Sequence, residues 1–247
     1  MQAIINEPYA ASRARLGTLA NLAGFVTLVS GFLIAQLWQE YILVAYLLLI
    51  GGFIAFNVGK HNAMRWGRWA RLPRADEALT RVLKGLDHKY QLFSYAEELP
   101  ADHVLLTPFG VMVLEVRPFF GRIFVQGDRW KRPANLMGFL QFFAEGSLGS
   151  PSREARQKAE RLTELLAAQL GDADSAIPVH AAVVLTHPRV ELQLNEPGTP
   201  VVKLGELRGL LRQMAGDLPK LTPLRHRQIA QTLRDLLSVK AERQVKK

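Results

Sequence analysis

Two long apolar runs, followed by a change of period, organise this chain. Residues 17–38 carry no formal charge over 22 positions, and residues 41–59 none over 19. About 20 helical residues cross the roughly 30 Å hydrocarbon layer of a bilayer, so each run is long enough to span it. Only Gln39 and Glu40 separate them, which makes the pair a helical hairpin; Trp38 and Tyr41 sit at its turn, where aromatic rings favour the interface. Beyond residue 75 the runs shorten. Leu79, Val82, Leu83 and Leu86 have the spacing of an amphipathic helix that begins near Asp76 and closes at Gly85. Residues 104–106 and 111–116 read as two buried strands joined at Pro108-Phe109-Gly110. Ser150-Pro151 opens a helix with Leu162, Leu165 and Leu166 on its apolar face. Residues 178–186 read as a strand of the sheet interior, and 206–214 and 225–239 as closing helices. The pattern predicts an α/β domain preceded by a two-helix transmembrane hairpin.

Charge then orients the hairpin. Arg13 and Arg15 precede the first run, Lys60, Arg65, Arg68, Arg71 and Arg74 follow the second, and the turn has no basic residue. The positive-inside rule therefore puts both termini in the cytoplasm of a multi-pass cell-membrane protein, with the lipid bilayer as its first partner. A signal peptide is the competing reading of the first run, but this run is longer than such a segment and a second follows at once. Of the formal charge of +9, residues 1–74 supply seven Lys or Arg against Glu7 and Glu40, hence +5; the rest supplies 24 against 20, hence +4. Much of the basicity thus belongs to topology and anionic lipid, and the remainder permits DNA binding without demanding it. Zero cysteines exclude disulfides and thiolate zinc sites. The six histidines have no helical zinc spacing. No Gly-rich phosphate loop or Gly-x-Ser-x-Gly elbow occurs, so a nucleotide cofactor and serine hydrolysis lack support.

Charge re-enters at the ends of the buried strand pair. Asp102 opens the first strand, and Glu115 and Arg117 close the second. An unpaired buried carboxylate is expensive, so these groups sit at a solvated sheet end or hold a cation. If Pro108 and Phe109 are the two loop residues, Thr107 faces Gly110, and Asp102 faces Glu115 across the ladder. A type I turn with a glycine bulge would shift that register by one. Glu115 and Arg117 share a face in either case. Metal-assisted phosphodiester chemistry is the function class this pattern points to.

From Asp76 to His187 the chain resembles the nuclease-related domain (NERD), a branch of the PD-(D/E)xK restriction-endonuclease-like superfamily. The family pattern is Asp-His on one strand, a Gly turn and then Glu-x-Lys; here Asp102-His103, Gly110 and Glu115-x-Arg117 carry the resemblance, and Gly121 and Trp130 extend it. It implies a restriction-endonuclease-like mixed sheet flanked by helices, a DNA substrate, and Mg²⁺ or Mn²⁺ held by Asp102 and Glu115. It also implies a helical acid approaching the site, matched by Glu77. Family members carry Asn-Pro-x-x-Gln downstream, where this chain has Ser150-Pro151-Ser152-Arg153-Glu154, so that Glu154 takes the Gln position and Lys158 a position that is often His. Structural alternatives stand beside these roles. Glu77 also suits the positive end of a helix dipole, and Glu154 suits a capping box reaching back to Ser150 or Ser152. Arg117 replaces the superfamily's lysine. Arginine stays protonated and cannot act as a base, although it can offset charge on a phosphate. His103 alternates with Asp102 and so points to the other side of the strand, as packing or as a support behind the site.

Residues 122–132, with Phe124 and Trp130 among Arg129, Lys131 and Arg132, either hold a backbone phosphate or form an ordinary exposed hairpin. Residues 138–150, with Phe139, Phe142 and Phe143, cover the site or lie against lipid. The expected organisation is a membrane hairpin with a basic linker at 1–74, a NERD-like domain at 75–205, and a helical extension with a basic tail at 206–247. Two functions of different class follow. One is a membrane-anchored, Mg²⁺-dependent DNA phosphodiesterase with a weakened site, in which Glu77, Asp102, Glu115, Arg117 and Glu154 take part. The other is a catalytically inactive, membrane-tethered scaffold that binds DNA or a protein.

Overall fold

The computed structural model describes residues 1–66, 73–133, 148–171 and 177–238. Residues 138–147 of the expected cover and the basic tail from 239 lie outside the described residues. Contacts divide the chain into two units, one of residues 7–74 and one of residues 1–6 together with 75 onward.

The smaller unit is a pair of helices, α1 (Glu7–Leu37) and α2 (Ile42–Trp66), joined by a 3-10 turn at Gln39–Tyr41. α1 begins well before the uncharged run and takes in Arg13 and Arg15. Small residues form the seam, at a seven-residue interval on both sides: Gly17, Gly24 and Gly31 on α1, and Ala45, Gly52 and Gly59 on α2, are all buried. The approach is close enough that a Cβ on Gly24 would stand 2.3 Å from the Phe56 backbone nitrogen, and one on Gly59 2.2 Å from that of Asn21. Asn21 Nδ2 donates to the Phe56 carbonyl at 3.1 Å across the same seam. Helices gain this way in lipid, where close van der Waals packing replaces the hydrophobic drive. Leu16, Leu19, Phe25, Phe32, Leu43, Leu47 and Phe53 point outward and are exposed. The two helices fit a transmembrane hairpin.

The larger unit is a mixed α/β fold. Its strands are β1 (Gln2–Ile5), β2 (Gln91–Ser94), β3 (His103–Thr107), β4 (Gly110–Arg117), β5 (Gly121–Gln126), β6 (Arg129–Lys131), β7 (Val179–Leu185), β8 (Val190–Asn195) and β9 (Val201–Lys203). Its helices are α3 (Ala75–Leu83), α4 (Pro151–Leu170), α5 (Leu207–Asp217) and α6 (Pro223–Ser238). The main sheet runs β1-β2-β3-β4-β7-β9, and a second runs β6-β5-β8. β4 is antiparallel to β3 and parallel to β7, which makes the main sheet mixed. β1 precedes the membrane hairpin, yet pairs with β2, which follows it, so the hairpin is inserted after the first strand rather than simply preceding the domain.

Strand alternation distributes the core. Val104, Leu106, Val111 and Val113 face one side, against Leu162 and Leu166 of α4 and Ile229 and Leu233 of α6. Leu105, Met112 and Leu114 face the other, against Leu79 and Leu83 of α3 and Leu207 and Leu211 of α5. Both faces of β3 and β4 are therefore covered, as their unbroken apolar runs require. At the head of β4, Val111 N–H donates to the Pro178 carbonyl at 2.9 Å. Gly110 has φ +147°, and a Cβ there would lie 2.3 Å from that carbonyl oxygen, so only glycine lets β7 enter beside the turn.

Candidate functional site

The register of β3 and β4 decides where the acids fall. Thr107 pairs with Gly110 and Val104 with Val113, so Pro108 and Phe109 are the two loop residues and no bulge intervenes. Thr107 Oγ1 closes the turn, donating to the Gly110 carbonyl at 2.8 Å. Continued two residues past the last ladder pair, this register sets Asp102 opposite Glu115. Glu115 has the parity of Val111 and Val113 and so belongs to the face that α4 covers; Asp102 lies just before β3 begins.

On that face β4 and α4 bring four charged side chains together. Arg117 bonds Glu115 Oε1 at 2.9 Å and also the Glu154 carboxylate, while Lys158 Nζ donates to Glu115 Oε2 at 2.6 Å. Two acids and two bases thus form one charge-balanced chain, with Glu115 its most buried member. Glu154 and Lys158 lie one helical turn apart and so share the face of α4 turned to β4. The helix cap leaves Glu154 free for this. Ser150 caps α4 without a side-chain bond, its hydroxyl donating instead to the Asp128 carbonyl at 2.9 Å. Glu154 is thus an ion-pair partner of Arg117, and the capping-box alternative is set aside. Lys158 is the member that sequence reasoning did not place at Glu115; the signal was its spacing of four from Glu154.

Glu77 lies in the first turn of α3, whose apolar side packs on the opposite face of the sheet. Its neighbour Asp76 is the fully buried acid, accepting from Tyr95 Oη at 3.0 Å. Tyr95 in turn stands edge-on to His103, and its backbone N–H donates to the Asp102 carbonyl at 2.8 Å. It holds a φ of +63°, a left-handed conformation that non-glycine residues seldom adopt. His103 Nδ1 lies 3.0 Å from Ser94 Oγ, both of them buried, so this histidine serves packing. The strand end that carries Asp102 is pinned from behind by this network.

A second ion pair fixes the far side of α4. Arg156 NH1 donates to Asp128 Oδ1 at 2.7 Å and to Thr199 Oγ1 at 3.1 Å, and the hydrogen bond from Arg156 holds the Asp128 carboxyl below its usual range. Trp130 Nε1 donates to Ser152 Oγ at 3.0 Å, so the β5–β6 hairpin is clamped to the start of α4. Its outer face is open: Phe124 is exposed between its ladder partners Lys131 and Gln193, and Gln126 lies between Arg129 and Asn195. Arg122 is paired there with Glu191 at 3.2 Å. His180, half-buried beside Phe109, has its pKa lowered by desolvation and faces away from Glu115, since it pairs with Met112.

Among the described residues no three His, Cys, Asp or Glu side chains are gathered as a metal-holding group. Magnesium does not need three: one or two carboxylates plus water and substrate phosphate are its usual protein-side complement. Asp102 and Glu115 meet that count, and a carboxylate already accepting one cationic bond at each oxygen keeps further lone pairs.

Residues 70–186 match the family model of the nuclease-related domain (NERD). That stretch contains Glu77, Asp102, Glu115, Arg117, Glu154 and Lys158. Neither a curated protein nor a solved structure matches the chain.

Proposed function

We propose that this chain, with its NERD domain at residues 70–186, is a membrane-anchored phosphodiesterase that cleaves DNA in a Mg²⁺-dependent reaction. The observation that carries the reading is the convergence of Arg117 and Lys158 on the buried Glu115 of β4, supported by a β3–β4 register that, continued two residues past its last pair, would bring Asp102 opposite Glu115. Asp102 and Glu115 would hold the ion. Bound there, Mg²⁺ or Mn²⁺ supplies charge neutralisation at phosphoryl oxygens and makes water a better nucleophile. Arg117 keeps Glu115 oriented by tying it to Glu154. The open strip of Arg129, Lys131 and Phe124 suits a phosphate backbone and gives no sequence preference.

Orientation has its own support. β1 lies before α1 and β2 after α2, yet they share a sheet, which supports a reading in which both flanks of the hairpin lie on one side of the membrane. The basic residues on both flanks favour the cytoplasmic side. Reporters at either terminus should report cytoplasm, and a tag placed between Gln39 and Glu40 should be reachable from outside; termini on opposite sides would refute this.

A second reading is favoured by one observation. Both oxygens of Glu115 already accept cationic donors, which suits an inactive scaffold that binds DNA or a protein. The two separate on the full chain in detergent with supercoiled plasmid. A phosphodiesterase nicks it with Mg²⁺ or Mn²⁺, and Asp102→Asn and Glu115→Gln lose both nicking and calorimetric Mn²⁺ binding. Unchanged Mn²⁺ affinity in both variants would remove these residues from the site.

A further inference from the structure

Two cations hold Glu115, but they differ in what they have left to give. The NH2 group of Arg117 is already shared between two carboxylates, and its Nε is buried without a hydrogen-bond partner. That NH2 group cannot turn toward a newcomer without breaking those bonds. Lys158 carries three donors on a rotatable ammonium, and the bond to Glu115 Oε2 accounts for one of them. Its side chain is only partly buried and its base is a rigid helix, so Nζ is held beside Glu115 with solvent access.

We propose that Lys158 is a catalytic residue of the phosphodiesterase, its ammonium donating to a non-bridging oxygen of the scissile phosphate. The proposal rests on the reading of the site as a phosphodiesterase. Hydrolysis forms a bond from water oxygen to phosphorus and breaks the bond from phosphorus to the leaving ester oxygen. One water proton ends on that leaving oxygen and the other passes to solvent, so Lys158 keeps its own proton and acts throughout as a charged donor. Arg117 then needs no proton-handling role, which accounts chemically for an arginine at that position.

The test compares wild type with Lys158→Met, both as full chains in lipid nanodiscs, by plasmid nicking and by calorimetry with Mn²⁺ alone. Nicking should fall by roughly 10²-fold or more, the scale of one positioned acid–base or charge-stabilising group. Mn²⁺ affinity should hold or tighten, because a competing cation has left Glu115. Should the methionine variant not fold, Lys158→Gln keeps a donor to Glu115 without the charge and should show the same loss. A folded variant that nicks like wild type overturns the proposal and leaves the phosphodiesterase reading standing. Loss of Mn²⁺ binding together with nicking also overturns it, by making Lys158 a builder of the ion site alone. A wild type that neither nicks nor binds Mn²⁺ removes the phosphodiesterase reading, and this proposal with it.

Discussion

Replacing Arg117 by methionine should destabilise the domain far more than replacing its partner Glu154 by glutamine. The Glu115 side chain is 9% exposed and that of Arg117 is 23% exposed, whereas Glu154 is 40% exposed. Removing the guanidinium strips Glu115 of one of two charge-assisted bonds in a nearly buried setting, a loss of about 2 kcal/mol. Glu154, by contrast, can turn to water, and a pair as exposed as its own contributes about 0–1 kcal/mol. For a domain of this size 1 kcal/mol moves the melting temperature by about 2–4 °C, so Arg117→Met should lower it by about 4–8 °C and Glu154→Gln by less than about 4 °C. Scanning calorimetry of the full chain in detergent measures both, and the double variant closes a cycle that isolates the pair. Equal losses from the two single variants, or a larger one from Glu154→Gln, would refute the argument from burial.

Further outcomes are expected elsewhere. Arg117→Lys should lower the melting temperature without raising plasmid nicking, because one ammonium is a poor replacement for a group shared by two carboxylates; a gain in nicking would show that position 117 lacks only an amine. Adjacent glycines of α2 should behave oppositely in melts of the helical signal. Gly52→Leu forces a Cβ to 2.8 Å from the Leu28 backbone nitrogen and should loosen the hairpin, while Gly51→Leu meets nothing within 4 Å and should be neutral. Asp128, whose folded pKa is depressed below its ordinary 3.8 by the Arg156 bond, contributes stability that is fully present above that value and lost as pH falls through the folded pKa. Asp128→Asn should therefore flatten the acid limb of stability against pH, as followed by urea melts between pH 3 and 6.

The parts of this molecule written locally were legible in the sequence. Uncharged runs of membrane length announce long apolar helices, and a two-residue loop between apolar strands sets Thr107 against Gly110 with little freedom. What needs a distant partner was not. Residues 2–5 are four positions of no marked period, and become β1 only because β2 offers an edge 85 or more residues later. Glu154 after Ser150-Pro151 reads as a capping acid until Arg117 is known to reach it from another element. Lys158 looks like one more solvated helical cation, and its bond to Glu115 spans 43 positions. On α3, adjacent acids cannot be ranked by spacing alone; Asp76 is the buried one because Tyr95, in a backbone conformation no pattern forecasts, meets it.

The insertion of the hairpin between β1 and β2 sets an order of assembly. β1 is made before both helices, yet the strand it pairs with is made only after them. At roughly 5–20 residues per second the wait is about 4–18 s, during which the N-terminal strand has no ladder to join. Completing the sheet edge is therefore a late event, and it closes the helical hairpin into a loop held at both ends. A nascent chain stalled before residue 91 would leave β1 open to pairing with other extended segments.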